Sequence, residues 1–138
     1  MPQEYSNASQ DFEAFLADAK EELDLASRHM TYTTVQAVLV VFRRRLTPPQ
    51  AIAFAAVLPA VLRAIFVDEW DTSEERRSFA DLASLNEEVK HFRRHHNFSP
   101  DNAIQIVAGV LRRHVDNDAL RSALDDISPE AAAYWLAD

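Results

Sequence analysis

Glycine is almost absent from this chain, since Gly109 is the single glycine among 138 residues. β-Hairpins depend on tight turns with positive φ, which glycine supplies most readily, so the composition disfavours a sheet protein. Phosphate-binding loops and dinucleotide fingerprints each need two or more glycines at fixed spacing, and neither can be built here. Cysteine is absent as well, which excludes disulfides, thiolate catalysis and cysteine-based metal sites. The sequence therefore predicts an all-α fold.

The apolar residues follow the same pattern in both halves of the chain, at an offset of 69 residues, which is the separation of Val35 from Ile104. The recurring positions are Val35, Val38, Leu39, Phe42 and Leu46 in the first half and Ile104, Val107, Ala108, Leu111 and Val115 in the second. A chain of this length has the size of one domain. We predict a single compact all-α domain over residues 1–138, a helical bundle of about eight helices built from two pseudo-repeated helical units. The units span about residues 9–67 and 79–136, and a linker of about residues 68–78 joins them.

Capping residues predict where several helices begin. A capping side chain followed by proline in the first turn occurs at Thr47-Pro48, Ser99-Pro100 and Ser128-Pro129. Ser84 and Glu87 have the Ser-x-x-Glu spacing of a capping box. A further helix, which carries the first copy of the repeated pattern, is expected to begin near Thr33.

Acidic residues outnumber basic residues by 22 to 14, which gives the chain a formal net charge of −8 at pH 7. Such a charge opposes nonspecific binding to nucleic acid and to anionic lipid. The first residues lack the apolar stretch of a signal peptide. The longest uncharged run, residues 46–62, is short of a membrane span and contains three prolines. We expect a cytoplasmic protein with no nucleic-acid partner and no membrane partner.

Several segments together point to a known family. They are Phe12-Glu13-Ala14-Phe15-Leu16, the runs 38–48, 58–66 and 110–115, and the pair Tyr134-Trp135. With them the chain resembles the bacterial domain of unknown function 2267 family over about residues 10–136. The resemblance implies a small all-helical protein with two related helical units, and it supplies no activity, substrate or catalytic residue. The second half departs from the Leu-Pro pattern of the first, because Ile127-Ser128-Pro129 stands where the first half has Leu58-Pro59.

A group of histidine and glutamate residues suggests a metal site. His91 and His95 lie four residues apart and share a helix face, and Glu87 lies one turn earlier on the same line. Glu88 and His91 have the Glu-x-x-His spacing found in di-iron helical bundles. The metal-binding hypothesis therefore names Glu87, Glu88, His91 and His95. The alternative is a solvated polar face with acid–base pairs four residues apart.

Two basic runs occupy equivalent positions in the two halves. Arg43 and Arg44 lie in the first run, and Arg112 and Arg113 lie in the second. One interpretation is an anion-binding or phosphate-binding groove that uses arginines from both halves. The alternative is that they complement the negative ends of their helices.

Two single residues need an explanation of their own. Trp70 lies in the acidic stretch 67–71, outside the repeated pattern, where it either covers the core or binds a partner. Gly109 lies within a predicted helix, where glycine is unfavourable, so we expect a close approach of two helices there or room for a ligand.

The sequence carries no local signature of catalysis, and we predict no catalytic residue and no cofactor. The leading hypothesis is a non-catalytic interaction or regulatory protein that acts on an unidentified protein partner or by self-association. The metal site and the anion site are the two alternatives. Trp70 and the face from Glu87 to His96 occur in one half only, so a specific site is expected there.

Overall fold

The computed structural model describes residues 1–92 and 98–137. Every regular element in these residues is an α-helix, so the predicted all-α fold is confirmed. The helices are α1 (Gln3–Ser6), α2 (Ala8–Leu23), α3 (Arg28–Arg43), α4 (Pro48–Ala55), α5 (Ala60–Val67), α6 (Leu82–Lys90), α7 (Ala103–Arg112), α8 (Asn117–Asp125) and α9 (Pro129–Leu136). The sequence predicts about eight helices and the described residues form nine, because the single turn α1 precedes α2. Within these same ranges, none of the helices combines the length and the apolarity that a membrane crossing requires.

Two of the predicted helix starts are confirmed by their capping bonds. At the start of α4, Thr47 Oγ1 accepts a hydrogen bond from the Gln50 N–H at 3.4 Å, and Gln50 Oε1 accepts one from the Thr47 N–H at 2.9 Å. At the start of α9, Ser128 Oγ accepts a hydrogen bond from the Ala131 N–H at 3.0 Å. In both helices proline follows the cap, where its missing N–H costs no helical hydrogen bond.

Three other predicted starts are wrong. Asp81, rather than Ser84, caps α6, because its Oδ1 accepts the Ser84 N–H at 2.8 Å. The hydroxyl of Ser99 instead shares a hydrogen bond of 3.0 Å with that of Thr34, and α7 begins four residues later. Helix α3 begins five residues earlier than expected, after an N-cap at Ser27. In the first two cases a local pattern is overruled by a stronger acceptor or by a tertiary partner.

One hydrophobic core contains residues from both halves of the chain. The ring of Phe42 lies 4.8 Å from that of Phe54, 4.9 Å from that of Tyr134 and 5.5 Å from that of Trp135, between centroids. The buried hydroxyl of Tyr134 donates a hydrogen bond of 2.7 Å to the carbonyl oxygen of Val38. Helix α2 packs on α7, and α3 packs on α6. Each half therefore buries its apolar side chains against the other.

Several structural details recur at the 69-residue offset. Helix α5 spans residues 60–67 and α9 spans residues 129–136, so their first residues and their last residues are each 69 positions apart in the sequence. Arg43 is the last residue of α3 and Arg112 is the last residue of α7. Arg43 Nη1 donates to the carbonyl oxygen of Phe66 at 3.0 Å, and Arg112 Nη1 donates to that of Trp135 at 2.5 Å. These details support the pseudo-repeat, which stays a prediction.

Gly109 does not mark a close approach of two helices. A Cβ atom built at this position would lie 3.8 Å from Nη2 of Arg112 and, apart from the chain neighbours and the backbone of the same helix, within 4 Å of no other atom of the described residues. That distance is an ordinary van der Waals contact, so the expected close approach is wrong, and room for a ligand beside Gly109 stays a prediction.

Candidate functional site

The last turn of α3 and the connecting segment (residues 68–81, between α5 and α6) lie side by side. The Arg77 N–H of this segment donates to the carbonyl oxygen of Arg44 at 3.0 Å. Arg45 Nε donates to the carbonyl oxygen of Ser78 at 3.2 Å. These bonds fix the otherwise irregular segment against the C-terminal end of α3, where unpaired helix carbonyls are available as acceptors.

Glu88 of α6 binds three arginines at this junction. Arg45 contacts it with two nitrogens, Nη1 to Oε2 and Nη2 to Oε1, both at 2.7 Å. Arg44 and Arg77 reach Oε2 at 3.1 Å and 3.3 Å. Burial raises the pKa of Glu88, but the hydrogen bonds and charges of Arg45, Arg44 and Arg77 outweigh it and lower the pKa below 4.5. Glu88 therefore acts as a carboxylate that holds three elements together.

A cavity of about 320 Å³, which we call the Arg43 cavity, lies between the end of α3 and the connecting segment. One wall comes from the end of α3 and the turn that follows it, and consists of Arg43, Arg44, Leu46, Thr47 and Pro48. The other wall comes from the connecting segment, and consists of Trp70, Thr72, Glu74, Glu75 and Arg76. The cavity therefore combines cations, anions, hydroxyl groups and an indole.

Arg43 is the most unusual residue of this cavity. It is only 7% exposed, and among the described residues it forms no ion pair with a carboxylate. Its Nη1 donates to the carbonyl oxygens of Phe66 at 3.0 Å and of Asp68 at 3.3 Å, whereas its buried Nε has no acceptor. The guanidinium carbon lies 5.5 Å from the centroid of the Trp70 ring, a cation–π arrangement. Burial and then the charge of Arg44 lower the pKa of this guanidinium, and the charges of Glu74 and Asp68 offset them only in part.

The charged residues of the connecting segment lie on the rim of the cavity. Glu74, Glu75 and Arg76 are all exposed. Glu74 has one distant ion pair, with Arg77 at 3.8 Å. Glu75 and Arg76 form no ion pair with any residue of the described ranges. The rim therefore offers charges of both signs to a bound molecule.

The structure brings together two residue groups that the sequence assigned to different hypotheses. The anion-binding hypothesis includes Arg43 and Arg44 and the partner-binding hypothesis includes Trp70, and all three residues line the same cavity. Arg112 and Arg113 do not line it. Arg112 donates to the carbonyl oxygen of Trp135, and Arg113 lies 3.9 Å from Glu22 on α2.

The residues of the metal hypothesis have other contacts. Glu87 is 60% exposed and lies 3.8 Å from the Lys90 ammonium, and Glu88 binds the three arginines. His91 Nδ1 donates to the Glu87 carbonyl oxygen at 2.7 Å. His95 lies outside the described residues. Residues 1–92 and 98–137 contain no cluster of three or more histidine, cysteine, aspartate or glutamate residues arranged to hold a metal ion. The metal site stays a prediction, as does a protein partner or self-association.

Sequence reasoning missed Arg45 and the charged residues 74–76. The run Glu74-Glu75-Arg76-Arg77 was visible as a charged linker, but no local pattern shows that a linker folds back on a helix end. Arg45 was visible as the third member of a basic run. Its partner Glu88 is 43 residues away, beyond the range of any periodicity argument.

Comparison with known proteins gives a family and no activity. A family model described as "Uncharacterized conserved protein (DUF2267)" matches residues 12–134. No curated protein matches the chain.

Proposed function

This chain belongs to the domain of unknown function 2267 family, and from its own geometry we propose that it is a non-catalytic binding protein whose Arg43 cavity takes a small molecule with an anionic group. The lining includes groups that recognise ligands, namely guanidinium groups, an indole and hydroxyls, beside two carboxylates at the rim. The proposal combines two hypotheses from the sequence, since the anion-binding arginines and Trp70 would contact one ligand.

The observation that carries the proposal is that Arg43 is buried with an unpaired Nε and, among the described residues, has no carboxylate in direct contact. A buried cation is costly unless a charged partner and hydrogen bonds compensate it. Arg43 has two carbonyl acceptors, an unpaired Nε and, among the described residues, no carboxylate. An anionic group in the cavity would supply the missing charge, and bonds of this type are roughly twice as strong as neutral hydrogen bonds.

The chain offers a matched control for testing this proposal. Arg112 occupies the equivalent position in the second half and makes the equivalent hydrogen bond, to Trp135, but it does not line the Arg43 cavity. Arg43→Met and Arg112→Met each remove one such bond. Only the first removes a cation from the cavity.

The experiment measures thermal unfolding with increasing concentrations of benzoate and of inorganic phosphate. Binding at about 100 times the Kd stabilises the folded state by about 2.7 kcal/mol, which is easily seen as a higher Tm. We expect at least one anion to raise the Tm of the unchanged protein and of Arg112→Met, and to leave Arg43→Met unaffected. If Arg43→Met fails to fold, Trp70→Leu replaces it, and we expect the anion to leave the Tm of that variant unaffected as well. An equal rise of the Tm in all variants would overturn the proposal. It would also be overturned if the Tm responded to neither anion and the amino acid probe described below did not bind.

A further inference from the structure

We infer that the ligand of the Arg43 cavity is zwitterionic, namely a free α-amino acid with an apolar or aromatic side chain. This inference rests on the proposed function and makes it more specific. Its basis is that charges of both signs and an indole surround a single small cavity.

The first argument concerns the charges that remain available to a ligand. Arg44 is held by Glu88 at 3.1 Å, so Arg43 is the buried cation left for a ligand anion. On the opposite wall Glu74 and Glu75 present two carboxylates, of which Glu75 has no ion pair within the described residues. A carboxylate on the ligand pairs with Arg43, and an ammonium group pairs with Glu75.

The second argument excludes ligands of a single sign. Glu74 and Glu75 on the rim would repel a dianion such as phosphate, and Arg43 and Arg76 would repel a simple amine. A molecule with one negative and one positive group satisfies both walls. It also leaves the charge of the cavity unchanged on binding.

The third argument concerns shape and size. Trp70, Leu46 and Pro48 give the cavity an apolar portion, and an indole prefers an apolar or aromatic neighbour. The volume of about 320 Å³ lies at the lower end of the range of ligand pockets, which is roughly 300–1,000 Å³. This space suits an amino acid better than a nucleotide.

The test uses isothermal titration calorimetry with four related probes. L-Phenylalanine carries both charges and a ring, 3-phenylpropionate lacks the ammonium group, phenethylamine lacks the carboxylate, and L-alanine lacks the ring. We expect L-phenylalanine to bind roughly ten to a hundred times more tightly than 3-phenylpropionate and phenethylamine, the range that a charge-assisted hydrogen bond provides. L-Alanine should bind more weakly than L-phenylalanine.

Two variants locate the effect. Glu75→Gln should bring the affinity for L-phenylalanine down to that for 3-phenylpropionate, because the ammonium group loses its partner. Glu21→Gln, at an exposed position on α2, is the control and should change nothing. Because Glu75 is exposed, its variant should fold normally.

The outcomes separate this inference from the proposed function. If 3-phenylpropionate binds as tightly as L-phenylalanine and Arg43→Met abolishes both, the anion site stands and the zwitterion inference is wrong. If L-alanine binds as tightly as L-phenylalanine, the assignment of an apolar side chain is wrong. If none of the four probes binds and neither benzoate nor phosphate stabilises the protein, both proposals fail.

Discussion

Glu88 shows how one carboxylate can join three parts of a chain. It lies on α6 and binds Arg44 and Arg45 at the end of α3 and Arg77 in the connecting segment. The Arg45 side chain is 5% exposed and the Glu88 side chain 21% exposed, so water screens their interaction only partly. Removing one partner would leave buried charge uncompensated, which is the costly case for buried ion pairs.

We predict that Glu88→Gln lowers the free energy of unfolding by about 3 kcal/mol at neutral pH, the lower end of the range for breaking a buried pair. The hydrogen bonds and charges of the arginines hold the folded-state pKa of Glu88 below that of an ordinary glutamate. Its contribution is therefore present above the ordinary glutamate pKa and is lost as the pH falls through the lower folded-state pKa. The difference between the two proteins should shrink over that acidic range.

Urea denaturation at neutral pH and at several acidic pH values measures this difference. Glu87→Gln is the matched control. Glu87 is 60% exposed and its ion pair with Lys90 is long, and an exposed ion pair of this kind contributes little to the free energy of unfolding. The role of the Glu88 charge would be contradicted if the free energies of unfolding of Glu88→Gln and of the unchanged protein differed by the same amount at every pH.

Gly109 provides a second prediction for a single residue. A Cβ atom here meets only an ordinary contact with Arg112, and the φ of Gly109 is not positive. Gly109→Ala should therefore stabilise the protein by roughly 0.5–1 kcal/mol, because alanine restricts the unfolded chain and favours the helix. Chemical denaturation checks the sign, and a loss of stability would show that the glycine has a steric role.

Single residues also show what the sequence could not reveal about the site. Arg43 and Arg112 have equivalent positions and make equivalent hydrogen bonds, so no pattern distinguishes them. The difference arises because residues 70–76 pass beside Arg43 and form a wall there. Sequence reasoning identified Arg43, Arg44 and Trp70 as candidates, but their common cavity depends on the tertiary path of the connecting segment.

At the scale of helices, the caps followed by proline were predicted correctly at Thr47 and Ser128 but not at Ser99, whose hydroxyl pairs with that of Thr34. Proline fixes φ near the helical value and lacks an N–H, so it fits the first turn of a helix. At Thr47 and Ser128 the proline that follows therefore marks the preceding residue as the N-cap. Ser84 had a competitor three residues earlier. The carboxylate of Asp81 accepts the Ser84 N–H, and this bond lowers the pKa of Asp81. A charged acceptor at a helix start also interacts favourably with the helix dipole.

We predict that Asp81→Ala lowers the urea midpoint, because it removes the cap of α6 and one end of the connecting segment becomes less well fixed. Ser84→Ala should lower the midpoint less, since the Ser84 N–H that Asp81 accepts persists in alanine and only the interaction of the hydroxyl with Asp81 is lost. If Ser84→Ala lowered the urea midpoint more than Asp81→Ala did, the result would support the capping box that the sequence predicts at Ser84.

At the scale of the whole molecule, the shared core determines how the protein unfolds. Phe42 and Phe54 come from the first half, and Tyr134 and Trp135 come from the second, yet their rings lie within one cluster. Neither half can unfold without exposing apolar surface of the other. We therefore expect a single cooperative transition over the whole chain.

The two tryptophans allow this expectation to be measured. Trp70→Phe leaves Trp135, which is fully buried, as the only source of tryptophan fluorescence. The urea transition of this fluorescence should coincide with that of the helical circular dichroism signal. Separate midpoints would show two independently unfolding units.

The overall architecture was the most predictable level, because it depends on properties repeated along the chain. The scarcity of glycine and the helical spacing of apolar residues concern many positions at once, so errors at single caps did not alter the predicted fold class. The pairing of α2 with α7 and of α3 with α6 was not predictable, since an apolar helix face shows that a helix is packed but not which helix it packs against.

The hydrogen bond between Tyr134 and Val38 has a consequence for the newly made chain. These residues are 96 positions apart, which corresponds to about 5–20 s of ribosomal synthesis at typical rates. For most of that interval Phe42 and Phe54 have been synthesised, but Tyr134 and Trp135 have not. The growing polypeptide therefore presents unburied aromatic rings to chaperones and to neighbouring nascent chains, and completes its native core only after residue 135 has left the ribosome.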